Sequence, residues 1–188
     1  SLTYEDLNNT YWATALYWRV CYKQLYTVNS LVKIIDPETE DSSLQFYLAQ
    51  AYAIRAFDYF TLAQMYQQTY VGNEEKPCVP LITDANMEAA GSEGCPRATV
   101  AEVYTQIMTD LDNAIALLEK STMTRADKRY INAAVAYGLR ARVNLVMNNW
   151  AEAAADAAKA LELTDATPYT VEEVSKPTMS EITDNAWM

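Results

Sequence analysis

The passage INAAVAYGLRARVNLVMNNWAEAAADAAKALELT does most to limit what this chain can fold into. Two alanine-rich segments with helical spacing flank the pair Asn148-Asn149. Two helices joined by so short a turn must run antiparallel as a hairpin. Alanine on both facing sides lets the helix axes approach closely, with few side-chain rotamers to freeze. The unit on which the chain is built is therefore a packed helix pair, not a strand pair.

The spacing within that unit carries more. With Trp150 taken as the large aromatic after the turn, Ala153, Ala157, Ala160 and Leu161 occupy the second-helix positions of a tetratricopeptide repeat. Ala141 occupies the small first-helix position where the helices cross. The same register recurs upstream at Tyr104, Ile107, Leu111, Ala114 and Ile115. The expected fold is all-α, a tetratricopeptide-like series of helix hairpins forming an α-α superhelix. Trp150 is expected to be a repeat-packing residue.

Earlier segments fit the same plan. Trp18, Tyr22, Leu25 and Val32 recur at helical steps in a first helix from about Tyr4 to Ile35, which Asp36-Pro37 ends. A second helix, about Leu44 to Gln68, carries two adjacent stripes. Tyr52, Ala56, Tyr59, Ala63 and Tyr66 form one, and Ala49, Ala53, Phe57 and Phe60 the other. A helix so broadly apolar must be central, so Tyr52 and Tyr59 are expected in the core. It is the natural partner of the third helix, which Thr99-Val100-Ala101-Glu102 opens as a capping box and which runs to about Lys120. Between them, Tyr70 to Ala98 holds Gly72, Gly91, Gly94, Pro77, Pro80 and Pro96. This composition predicts an irregular loop inserted into one repeat, a length usually functional or mobile. The helical domain is expected over 1–163, with an irregular tail over 164–188.

Composition closes off several functions. The formal charge of −11 would repel a duplex or an anionic membrane surface. No run reaches the roughly 20 apolar residues of a membrane span, because Arg55 and Asp58 interrupt the best candidate. Histidine is absent, which removes the commonest general base and zinc ligand. There is no phosphate-binding glycine loop and no nucleophile elbow. Neither a catalytic residue, a metal ligand nor a cofactor site is expected. The three cysteines lack metal-ligand spacing. Cys78 and Cys95 flank the loop, and the spacing is compatible with a disulfide between them or with two free thiols.

Five blocks in order resemble one family. SLQFYLAQAYAIRAFDYFTLAQMY, Val79-Pro80-Leu81-Ile82-Thr83, and Arg97-Ala98-Thr99-Val100-Ala101-Glu102-Val103-Tyr104 are each similar to passages of the SusD/RagB family. So are Ala141-Arg142-Val143 with Asn149-Trp150-Ala151-Glu152-Ala153, and Trp18, Tyr22 and Asn29 in the first helix. The resemblance implies a surface-exposed outer-membrane lipoprotein of Bacteroidetes that binds oligosaccharide and passes it to a SusC-like TonB-dependent transporter. It implies no enzymatic activity, and membrane attachment only through a lipid-bearing cysteine that is missing from this sequence. Family chains are longer, with an irregular C-terminal half, so a fragment is expected.

Sugar capture needs flat aromatics for pyranose faces and amides or carboxylates for hydroxyls. The candidates outside the buried stripes are Asn8, Asn9, Tyr11 and Trp12 near the start, and Tyr70 and Asn73 at the loop mouth. The other reading is a tetratricopeptide scaffold that binds protein or peptide in its groove and takes no glycan.

Overall fold

The structure is a computed structural model, and it describes residues 12–174 and 183–184. Its elements in order are α1 (Trp12–Ile34), α2 (Ser42–Tyr66), β1 (Pro77–Pro80), α3 (Met87–Glu93), β2 (Arg97–Thr99), α4 (Val100–Lys120), α5 (Ala133–Val146), α6 (Trp150–Leu163) and α7 (Val171–Val174). The all-α reading holds, with a two-stranded ribbon as the sole sheet among the described residues.

The long helices stack in chain order, α1 on α2, α2 on α4, α4 on α5 and α5 on α6. The pairs α2–α4 and α5–α6 are the expected hairpins. Asp41 starts α2 by accepting the amides of Ser43 and Leu44 at 2.8 and 3.0 Å. The capping box at α4 is complete: Thr99 Oγ1 accepts the Glu102 amide at 3.1 Å, and the Glu102 carboxylate accepts the Thr99 amide at 2.7 Å. The turn before α6 places Asn148 at φ 63°, a left-handed conformation that asparagine tolerates.

The core runs along α2, whose Ala51, Ala56, Tyr59, Phe60 and Leu62 are buried against Leu25, Ile107 and Leu111. Tyr52 and Tyr59 are core residues, as their spacing predicts. Phe57 departs from its stripe and is exposed, since α2 is covered by α1 and α4 but not on that side.

The inserted segment is more regular than its composition suggests. β1 pairs antiparallel with β2. Side chains from the helices then fasten it: Tyr22 Oη donates to the Pro80 carbonyl at 2.7 Å, and Asn29 Nδ2 to the Ile82 carbonyl at 2.9 Å. Tyr59 Oη both donates to the Ile82 carbonyl and accepts its amide, at 2.6 and 2.7 Å. The segment is thus a docked ribbon rather than a loose loop.

Beneath it lies a buried charge cluster. Arg55 reaches Asp110 through two nitrogens, Asn29 at 2.9 Å and Asp84 of the inserted segment at 2.7 Å. Burial works against the guanidinium charge, but the hydrogen bonds to Asp110 and Asp84 outweigh it and hold Arg55 protonated. No described helix is long and apolar enough to cross a membrane.

Candidate functional site

The N-terminal half of α1 crosses the end of α2 beside the ribbon, and three aromatic rings meet there. Trp18 lies 4.7 Å from Tyr22 between ring centroids and 5.2 Å from Tyr66, the second pair edge to face. Such tilted contacts suit the ring quadrupoles and hold each ring in one orientation. Trp18 retains 36% exposure, so the stack presents an aromatic ledge to solvent. Beside it lies a hollow of about 170 Å³ lined by Trp18, Tyr22, Pro80, Ile82 and Cys95. Burial pushes the Tyr22 hydroxyl far above its ordinary range, so it stays a neutral donor to Pro80.

Tyr66 does more than stack. Its hydroxyl accepts the Trp18 backbone amide at 3.1 Å and donates to the Thr14 carbonyl. Thr14 and Trp18 are four apart, so the hydroxyl meets both ends of one i to i−4 step of the helix. The start of α1 is therefore tied to the end of α2 through its main chain.

Of the expected binding residues, Asn8, Asn9 and Tyr11 lie outside the described residues. Trp12 opens α1 and is 68% exposed, at the same end of the helix as Trp18. Tyr70 packs on Tyr104, 4.9 Å between centroids, as part of the core edge. Asn73 Nδ2 donates to the Thr69 carbonyl at 2.7 Å, closing its own turn. Their spacing in the sequence places Trp18, Tyr22 and Tyr66 only on helix faces. Their exposure comes from an end of α1 that the ribbon leaves uncovered, a tertiary fact without a local signal. Cys78 and Cys95 are both free thiols, so no bridge closes the inserted segment.

A second concavity lies between α5 and α6. It measures about 560 Å³, and Ala141, Arg142, Leu145, Trp150, Ala157 and Leu161 contribute to its lining. Here the repeat expectation needs correction. Trp150 is 60% exposed and Leu161 67%, because no described helix packs on the outer side of α6. On the polar side of the same hairpin, Arg140 binds Asp156 through two nitrogens at 2.9 and 2.6 Å, and Asn144 adds a third donor at 3.0 Å. That network ties α5 to α6.

Comparison with known proteins gives a consistent picture. A family described as "Starch-binding associating with outer membrane", SusD-like, matches residues 1–145. No protein with a curated description matches significantly. Among solved structures, a SusD-like carbohydrate-binding protein from Bacteroides vulgatus is similar at TM-score 0.76 and 25% identity, covering 93% of this chain and 36% of its own. A sugar-binding protein from the same organism, described as putative in its structure report, gives TM-score 0.67 and 28% identity, covering 78% and 32%. A laminarin-binding SusD-like protein gives 0.60 and 27%, covering 82% and 31%. The chain thus spans about a third of the length of these relatives.

Proposed function

We propose, from the premise that this chain belongs to the SusD-like family, that it binds glycan and hands it to a SusC-like TonB-dependent transporter in the outer membrane. The match over residues 1–145 is the observation that carries this reading. The laminarin-binding relative makes a glucan the first ligand to try. The protein acts by capture rather than catalysis, as a surface-exposed lipoprotein, and needs no cofactor.

The Trp18–Tyr22–Tyr66 ledge supplies the chemistry for capture. An exposed indole edge-braced by a second ring can receive the apolar face of a pyranose without first losing rotamer freedom. Trp12 extends the aromatic surface at the start of α1, and Asn8, Asn9 and Tyr11 precede it in sequence with hydrogen-bonding groups. Tyr70 and Asn73 contribute by shaping the inserted segment.

Isothermal titration of the chain with laminarin and with soluble starch tests the reading. Binding is expected with Kd in the micromolar to millimolar range. Trp18→Ala should weaken it about tenfold, the order of an aromatic stacking contact. A folded chain that bound neither polysaccharide, nor any in a wider glycan panel, would overturn it. The α5–α6 groove favours a second reading, a protein-docking face on a tetratricopeptide scaffold.

A further inference from the structure

Asp58 sits on α2 with only 2% of its surface exposed. Its Oδ2 atom has no hydrogen-bond partner among the described residues. A buried carboxylate oxygen left unpaired is costly, whereas a neutral carboxylic acid at the same place is far less so. The group that lies beside Asp58 from α1 is the Cys21 thiol. A thiol is a weak donor and supplies little to stabilise a negative charge.

Among the described residues the surroundings offer no compensating cation. On α2 itself, Arg55 is committed to Asp110, Asp84 and Asn29, and the Tyr59 hydroxyl is committed to Ile82. On α1, Tyr22 is turned to Pro80, while Arg19 and Lys23 are on the exposed side. The ribbon and α4 add Cys78 and Tyr104 to the same core, and burial raises both so that they stay neutral. Asp58 follows that pattern: burial raises it to about 7 from an ordinary 3.8.

Position gives this a mechanical meaning. From Leu25 onward α1 is well anchored, with Leu25 and Val28 buried and Asn29 bound to both Arg55 and Ile82. Among the α1 residues whose burial is described, Cys21 is the first to be fully buried. Ahead of it, the helix is held by the Tyr66 hydroxyl and the Trp18 stack. The described contacts of the segment from Trp12 to Cys21 with α2 thus include the Tyr66 hydroxyl and, at the segment's end, the approach of Cys21 to Asp58.

We propose that this segment is a proton-dependent latch: neutral Asp58 seats the start of α1 on α2, and ionised Asp58 releases it. The sign follows from linkage. Between pH 4 and 7 the folded chain binds a proton that the unfolded chain has lost, so the contribution is full below about pH 4 and gone above about pH 7. Because Trp18 rides on the latch, its release also moves the ledge.

The test compares the wild-type chain with Asp58→Asn from pH 4 to 9. The melting temperature of Asp58→Asn minus that of wild type should rise through that window by about 5–10 °C and level off above pH 8. Amide hydrogen exchange, corrected for intrinsic rates, should show the Trp18–Cys21 amides losing protection at pH 8 in wild type but not in Asp58→Asn. A constant melting difference, or equal protection in the two proteins at both pH values, would overturn the proposal. Should Asp58→Asn fail to fold, carboxyl-carbon NMR of the wild type decides. A midpoint near neutrality supports the latch, and one in the ordinary aspartate range sinks it.

Discussion

Arg55 and Asp110 form a two-point bond in the interior, Nε to Oδ2 at 2.8 Å and Nη2 to Oδ1 at 2.7 Å. The same guanidinium reaches Asp84 of the inserted segment, so one side chain joins α2, α4 and the ribbon. Buried pairs of this kind are weak evidence for stability but costly to break. Arg55→Met should lower unfolding free energy by about 3–5 kcal/mol, because Asp110 is left buried without its cation. The double variant Arg55→Met with Asp110→Leu should recover much of the loss. Urea titration of the three proteins measures it, and equal instability of the single and double variants would contradict this account.

Tyr59→Phe removes the hydroxyl that serves both the amide and the carbonyl of Ile82. The Ile82 amide then loses its partner, while its carbonyl keeps the Asn29 amide, at a cost of about 1–3 kcal/mol. The ring still fills its place in the core, so the helices should keep their melting cooperativity. Limited proteolysis should instead cut faster between Ile82 and Cys95, a change read directly by mass spectrometry.

Thr99→Ala breaks the capping box of α4 and should cost about 1 kcal/mol. In a chain of this size that is about 2–4 °C in melting temperature. Thr99→Ser should restore most of it, since the hydroxyl oxygen is what the Glu102 amide needs.

The three thiols should behave differently toward an aromatic disulfide reagent. Cys21 and Cys78 are buried, and burial raises both, Cys21 to about 11. Neither should react in the folded chain, whereas partly exposed Cys95 should react slowly. All three should titrate after unfolding without reductant, and a count of one would show a bridge that this structure lacks.

Much of this architecture is readable in the chain. The hairpin turn at Asn148-Asn149, the capping box at Thr99 and the breadth of the apolar surface on α2 are local signals, and each is found where its spacing puts it. The ribbon was not legible. β1 has a proline at each end and β2 is three residues long, too short for alternation to register. Arg55 reads as a break in an apolar run, because its partners lie 26, 29 and 55 residues away. Trp150 reads as packed because repeat spacing gives the helix face but not whether anything covers it. The ledge escaped for a related reason: Trp18 and Tyr22 keep helical period whether or not their outer edges meet solvent.

The anchors of the inserted segment have a consequence for how such a chain can change. Tyr22, Asn29 and Tyr59 grip main-chain groups of Pro80 and Ile82, not their side chains. Every L-residue offers the same carbonyl. The side chains along this stretch can therefore be exchanged while the strand keeps its position, which separates where the surface sits from what it recognises. A lineage drifting toward a new ligand could rewrite the rim of the hollow residue by residue, with the helices acting as an unchanging jig.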